Sequence, residues 1–333
     1  MSRPDYLGVD AFLKDAVGAR ALATAFDLGL IDGLLGADAG RARSGPDASG
    51  AALLHGMLRA SGVLDANEED APRLSAAFQS ALRYRDLMEA KLEFLELAGA
   101  DFLELFTALV ADPARFQRSA RLFELFSYDR GHDETPENLA HAARWMRFTT
   151  ALTRHESPVL LDALDLSASR RMLDVGGNSG EFALQACRRH PALRATVLDL
   201  PVVCALGERH VAKAGDGARV AFARVPRDGG AYPAAHDLVT FKSMLHDWPD
   251  AHAVTFLRRA HEALPEGGRV AILERSAPVP GDFRWADLPL VLFFRSYRRP
   301  EDYRRMLAEA GFRGIQVRCV ELDMPFLVMT ATR

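Results

Sequence analysis

Cysteine is scarce. The 333 residues hold three, Cys187, Cys204 and Cys319, and none stands in a Cys-x-x-Cys pair. Thiols scattered in this way exclude a disulfide framework and a cysteine-rich metal knot. They fit reduced interior residues of a cytoplasmic protein. Long apolar runs are missing too. No stretch reaches the roughly 20 residues that a membrane-spanning helix needs, and the opening Met1-Ser2-Arg3-Pro4-Asp5 lacks the apolar core of a secretory signal. An excess of positive charge is also absent. The 41 Lys and Arg against 45 Asp and Glu leave a formal net charge of −4, which gives no reason to expect nucleic acid as a partner. Internal repeats and low-complexity tails are not found. The remaining composition, 49% hydrophobic and 26% charged, is that of a soluble globular chain long enough for two domains.

The texture changes near residue 170. Before it, apolar residues recur at helical spacing, first over residues 9–30 (Phe12, Leu13, Ala16, Val17, Leu22, Phe26). A second helix is predicted over 51–61. It leads into Gly62-Val63-Leu64, a polar tip Asn67-Glu68-Glu69-Asp70, and Arg73-Leu74-Ser75, the pattern of a small winged-helix unit. Residues 36–50, rich in Gly, Ala, Ser and Pro, read as a loop. Further helices are predicted over 82–110, 113–126 and 137–164, the last with a break near Ser157-Pro158. After residue 170, strands are expected at 171–175, 195–200, 219–225, 237–243, 269–275, 315–322 and 326–332, with helices between them. Such alternation predicts an α/β fold with a parallel sheet covered on both faces. The link around Asp323-Met324-Pro325 is too short for a crossover helix, so the last two strands should pair antiparallel.

The first of these strands runs into Leu173-Asp174-Val175-Gly176-Gly177-Asn178-Ser179-Gly180, and the second ends at Leu198-Asp199-Leu200. Strand, glycine turn, helix and a second strand ending in a carboxylate make a nucleotide-binding half-site. Gly176 and Gly177 let the backbone approach a ligand, and Asp199 stands where an acid can accept both hydroxyls of a ribose. The order is not Gly-x-Gly-x-x-Gly, because Asn178 takes the place of the second glycine of that dinucleotide motif. Asn tolerates the left-handed region. An acid just before the loop, Asp174, repels a pyrophosphate and suits a cation. S-adenosylmethionine carries a sulfonium and an ammonium and no phosphate.

The second constellation is Phe241-Lys242-Ser243-Met244-Leu245-His246-Asp247-Trp248-Pro249-Asp250. It reads as a buried strand that ends in polar and aromatic residues before a helix. Ligands of open parallel sheets bind at the carboxyl ends of strands, so His246 falls beside the expected nucleoside. An imidazole there can take a proton from a hydroxyl near neutral pH.

Together these stretches, with "TVLDLP", "GGRVAILERS" and Tyr303–Phe312, resemble the plant-type O-methyltransferase family and its bacterial small-molecule branch. The resemblance implies a class I methyltransferase Rossmann-like sheet with the last strand antiparallel, behind an N-terminal helical winged-helix dimerisation domain. It divides the chain into a winged-helix-like domain over 1–110, linking helices over 111–165 that contribute to an acceptor pocket, and an S-adenosylmethionine-binding catalytic domain over 166–333. Carried over by position, the resemblance implies cofactor contacts at Gly176, Asp199 and Lys242, and Asp174, Gly177 and Leu200 are expected beside them. It also implies a catalytic His246 oriented by Glu274, and a homodimer.

Two departures stand beside it. Arg224-Val225-Pro226-Arg227-Asp228 replaces the family's Gly-Asp after the third strand, which loses the adenine contact or moves it to Asp228. Tyr297 stands where a second orienting glutamate is usual. The acceptor pocket is expected from Met146, Arg130 and residues 288–299, with Leu290, Val291, Phe293 and Phe294 for a flat or greasy acceptor. Arg295, Arg298 and Arg299 could form a fork for an anionic one. No histidine follows His261, and a His-Asp pair alone supplies too few ligands for a required metal. The expected chemistry is methyl transfer from S-adenosylmethionine to a small-molecule hydroxyl. C- or N-methylation, and non-methylating use of the same cofactor, stay open at this point.

Overall fold

The computed structural model describes residues 4–36, 46–66, 71–125, 128–215, 217–227, 229–277 and 287–333. Two compact units divide the chain. One comprises Ser2–Leu122 with Gly281–Leu292, the other Phe123–Pro280 with Phe293–Arg333.

The first unit is helical. The single helix expected over 9–30 is broken. A 3-10 helix, Asp5–Phe12, is followed by α1 (Ala16–Asp27), because the Asp15 carboxylate accepts the N–H of Gly18 at 2.7 Å and starts a new helix there. After α2 (Leu30–Leu34) and α3 (Ala48–Ala60), Leu64 and Leu74 form an antiparallel bridge, flanked by Asp65 N–H to Arg73 O and Ser75 N–H to Val63 O. A wing is expected across this stretch. Its tip, 67–70, and most of the expected loop over 36–50 lie outside the described residues. α4 (Ala76–Ala81) and the long α5 (Arg85–Ala111) follow. The helix expected over 113–126 is two, α6 (Pro113–Ser119) and α7 (Leu122–Leu125). Buried Asp101 accepts the N–H groups of Arg121 and Leu122, at 3.0 and 2.9 Å, and begins α7. Among the described residues no helix is long and apolar enough to cross a membrane.

In the second unit a 3-10 helix, Asp129–His132, precedes α8 (Pro136–Ala163), which is capped by Thr135 with Pro136 in its first turn. The break expected at Ser157-Pro158 does not occur. A proline clashes with, and cannot bond, the carbonyl four residues earlier, here Arg154. That carbonyl instead accepts the Gln185 side-chain N–H at 3.0 Å, so the helix runs through. α8 packs on α9 (Glu181–Arg189) and α10 (Pro201–Ala212).

Seven strands follow among the described residues: β1 (Arg171–Val175), β2 (Arg194–Asp199), β3 (Val220–Arg224), β4 (Leu238–Lys242), β5 (Arg269–Arg275), β6 (Arg313–Glu321) and β7 (Pro325–Thr332). Their order is β3-β2-β1-β4-β5-β7-β6. The first five are parallel, and β7 pairs antiparallel with both β5 and β6. The expected class I methyltransferase architecture is thus the observed one. In β1 and β4 every residue but the first of one and the last of the other is buried, as central strands covered on both faces require. The strand order reverses between β1 and β4, which places a crevice at their carboxyl ends. α11 (Asp250–Ala263), α12 (Leu288–Leu292) and α13 (Pro300–Glu309) complete the fold, with α12 in the first unit.

Candidate active site

The turn after β1 needs its glycines chiefly for its own packing. Gly176 has φ +68°, and a Cβ there would strike Met244 Cγ. A Cβ on Gly177 would lie 2.5 Å from Asp174 Oδ2, and one on Gly180 would lie 2.9 Å from the Phe222 ring. Asn178 takes the left-handed conformation, φ 53°, as its residue type allows. Its N–H donates to Asp199 Oδ2 at 2.8 Å, and Leu200 N–H donates to Asp199 Oδ1 at 2.7 Å. Asp199 is therefore fixed at the end of β2 with a lone pair left on each oxygen. Leu200 packs against Gly131, where a Cβ would meet its side chain.

Asp174 is fully buried. Thr240 Oγ1 donates to its Oδ1 at 2.6 Å, and Oδ2 has no hydrogen-bond partner among the described residues. Burial, only partly offset by that hydrogen bond, lifts its carboxyl to about 7. Burial likewise lifts Asp199 to about 6 against the two backbone donors. An orphaned, buried carboxylate oxygen at the mouth of a glycine turn suits a cationic ligand better than a phosphate.

His246 and Glu274, 28 residues apart, meet as expected. His246 Nδ1 lies 2.6 Å from Glu274 Oε2, while Oε1 accepts the N–H groups of Met244 at 2.8 Å and Leu245 at 2.7 Å. The glutamate thus holds both the imidazole and the backbone that carries it. Asp247 Oδ1 stands 3.3 Å from His246 Nε2, and Asp247 Oδ2 accepts the Tyr128 hydroxyl at 3.1 Å. Burial disfavours the imidazolium, but the Glu274 and Asp247 carboxylates outweigh it and hold His246 above the ordinary histidine value. The Tyr297 ring, at the position of the missing second glutamate, lies 5.5 Å from the His246 ring. The second carboxylate beside the imidazole is Asp247.

Other expected site residues make contacts within the protein. The Lys242 ammonium turns to α8, donating to Glu156 Oε2 at 2.8 Å and Thr153 Oγ1 at 3.2 Å. Arg298 is engaged with protein carbonyls and Asp250, and Arg130 donates to Glu124 O. Neither arginine is held out as part of an anion-binding fork. The Arg295 guanidinium lies 4.6 Å from the centre of the Phe294 ring. Met146 is buried on α8, one turn before Thr149, whose hydroxyl lies 3.4 Å from Asn178 Oδ1. The expected substitute contact at Asp228 lies outside the described residues.

Glu156 and Arg275 escaped the sequence reading. Glu156, 1% exposed, accepts from both Lys242 and Arg275, and Arg275 also reaches Asp323 Oδ2 at 2.9 Å. The signal was present: Glu156 sits four residues after Leu152 and four before Leu160, a charge on the apolar stripe of a helix.

A match to the O-methyltransferase domain family covers residues 111–313. The chain is 36% identical over 172 residues to a 3-hydroxy-5-methyl-1-naphthoate 3-O-methyltransferase of Streptomyces sahachiroi, covering 50% of this chain and 49% of that protein. It is 33% identical over 170 residues to the acetylserotonin O-methyltransferase of Bos taurus, again 50% and 49% of the two chains. The chain thus spans about half the length of these curated relatives. A crystal structure of the S-adenosylmethionine-dependent methyltransferase SibL in its apo form aligns with 98% of this chain and 97% of its own, with TM-score 0.64 and 25% identity.

Proposed function

Because the chain belongs to the O-methyltransferase domain family, we propose that it transfers a methyl group from S-adenosylmethionine to a hydroxyl of a flat small-molecule acceptor, with His246 as general base. The observation that carries this reading is the grip of Glu274 on His246. With Nδ1 committed to the glutamate, Nε2 is the nitrogen that takes a proton, and the Asp247 carboxylate 3.3 Å away stabilises the imidazolium that forms.

Asp199 would accept the ribose hydroxyls on its two remaining lone pairs, and Asp174 would face the cationic part of the nucleoside. When bound, the cofactor supplies a methyl group activated by a cationic sulfur. His246 removes the acceptor proton, and Glu274 stabilises the imidazolium that results. Lys242 acts through Glu156, by tying α8 to the end of β4. Tyr128, Trp248, Tyr297 and Phe294 supply ring faces for a flat acceptor, which agrees with the naphthoate and acetylserotonin acceptors in the relatives' names. With Arg298 and Arg130 engaged internally, those two give no support to an anionic acceptor. A homodimer is part of the proposal, supported by exposed Val17, Leu53, Leu103 and Phe106 on the helical unit. Light scattering at twice the monomer mass would bear it out.

The decisive assay is formation of S-adenosylhomocysteine from S-adenosylmethionine with a panel of hydroxylated naphthoates and indoles. No product above the acceptor-free rate across the panel would count against the reading. The carboxyls at 174 and 199 add a second expectation. Both must be ionised to serve a cationic nucleoside, and burial has raised both, so affinity falls as they protonate. Calorimetry should show S-adenosylhomocysteine binding weakened by about 10²-fold between roughly pH 8 and pH 5.5, since each pK unit is worth about a factor of ten. A flat profile would remove both groups from the cofactor site.

A further inference from the structure

Arg298 is placed where the chain could have offered an acceptor-binding cation, yet its guanidinium is turned inward with its side chain only 10% exposed. Nη1 donates to Leu245 O at 2.8 Å, Nη2 donates to Trp248 O, and Nε donates to Asp250 Oδ1 at 2.9 Å. The two carbonyls bracket His246 and Asp247. They stand at the start and just past the end of a 3-10 turn, Leu245–Asp247, in which Leu245 O also accepts Trp248 N–H at 3.3 Å. Asp250, the first residue of α11, is held in turn by Arg305 at 3.1 Å from its other oxygen.

The backbone of Arg298 is fixed as well. Ala277 N–H donates to Arg298 O at 3.0 Å, and Ser276 forms a parallel bridge with Arg298. Ser276 follows the last residue of β5, the strand that carries Glu274. One arginine therefore links the strand holding the imidazole's partner to both ends of the turn holding the imidazole itself.

We propose that Arg298 is a positioning residue that locks the Leu245–Trp248 turn so that His246 stays on Glu274, and that it does not recognise the acceptor. The proposal rests on the reading of His246 as base. A planar guanidinium can serve two carbonyls and a carboxylate at once in a fixed fork, whereas an ammonium is a point charge that cannot hold the same three directions. A displacement of about 1 Å at a reacting group can cost about 10²-fold in rate, so a clamp on the turn acts directly on the chemistry without touching the substrate. The groups facing His246 are Glu274 from β5, Asp247 from its own turn, Tyr297 ahead of α13, and Arg275 next to Glu274. Losing the clamp loosens the first of these contacts, and Arg298→Lys does so with the positive charge retained.

The experiment uses the full chain with Arg298→Lys and Arg298→Gln. The His246 imidazole is followed by NMR through a pH titration, its resonance assigned by its loss in His246→Gln. In the wild type it should titrate above the ordinary histidine value. In both variants it should move back by about half a unit or more, because one pK unit reports the partner interaction that is lost. S-adenosylhomocysteine affinity should stay within about twofold, and kcat should fall by about 10²-fold with little change in acceptor KM. An unchanged titration with a raised acceptor KM would overturn the proposal and return Arg298 to acceptor binding. Parallel loss of cofactor affinity and of the melting transition in both variants would overturn it in favour of a general structural role. Should the wild type methylate nothing while Arg298→Lys still shifts the His246 titration, the clamp stands and the proposed reaction falls.

Discussion

Replacing His246 by alanine is expected to lower methyl transfer by about 10²–10⁴-fold, the usual contribution of a positioned general base, with S-adenosylhomocysteine affinity within about twofold of wild type. The separation follows from the geometry. Cofactor-facing groups sit on the β1 turn and the end of β2, while His246 sits after β4 and touches Glu274 and Asp247. Truncating the imidazole leaves Glu274 Oε1 still accepting the Met244 and Leu245 N–H groups, so the turn keeps most of its supports.

The pH profile carries the same prediction in a second form. Neutral imidazole is the active base, and the two carboxylates hold His246 above its ordinary value. The rate should therefore rise with pH, with its midpoint above that of a free histidine, and His246→Ala should lack this limb. A variant that keeps more than a third of wild-type turnover would remove His246 from the base role and point to an acceptor acidic enough to ionise unaided.

The glycine turn and its acid were legible because they depend on local backbone chemistry. Asn178 enters the left-handed region because its residue type permits it, and Asp199 accepts the N–H of the residue that follows it. The sheet was legible for the same reason: runs of buried residues, short links and interposed helices fix its topology almost without reference to distant contacts. His246 and Glu274 lie only a helix and a strand apart, and resemblance supplied their pairing.

What escaped lies in contacts between residues far apart in sequence. Glu156 meets Arg275 across 119 positions and Lys242 across 86, and Arg298 reaches Leu245 across 53. No periodicity encodes such meetings. An arginine reads as a surface or ligand-binding cation until the carbonyls it serves are known. Helix boundaries failed in the same way. The start at Leu122 depends on Asp101, 21 residues upstream, and the continuity through Pro158 depends on Gln185 taking a carbonyl 31 residues away.

Glu156→Gln should destabilise the protein by about 3–5 kcal/mol, the usual cost of removing one partner from a buried ion pair. Glu156 is buried between a guanidinium and an ammonium. The amide is nearly isosteric but neutral, so it leaves Lys242 unpaired in the interior and Arg275 with only Asp323. The midpoint of urea unfolding at neutral pH reads the loss. Adding Lys242→Met to Glu156→Gln should recover part of it, because the second change removes the stranded charge.

The sign of the pH dependence follows from the carboxyl. Burial alone would raise it, but Arg275 and Lys242 prevail and bring it from 4.5 down to about 2. A folded-state value below the unfolded one stabilises fully above the unfolded value. That stabilisation fades as pH falls from about 4.5 towards about 2. Wild type should therefore lose its advantage over Glu156→Gln as the solution is acidified through that window. If instead the two proteins unfold at the same urea concentration at pH 7, the Lys242–Glu156–Arg275 cluster contributes nothing net. Its cations would then be solvated well enough that α8 is held to the sheet by packing alone.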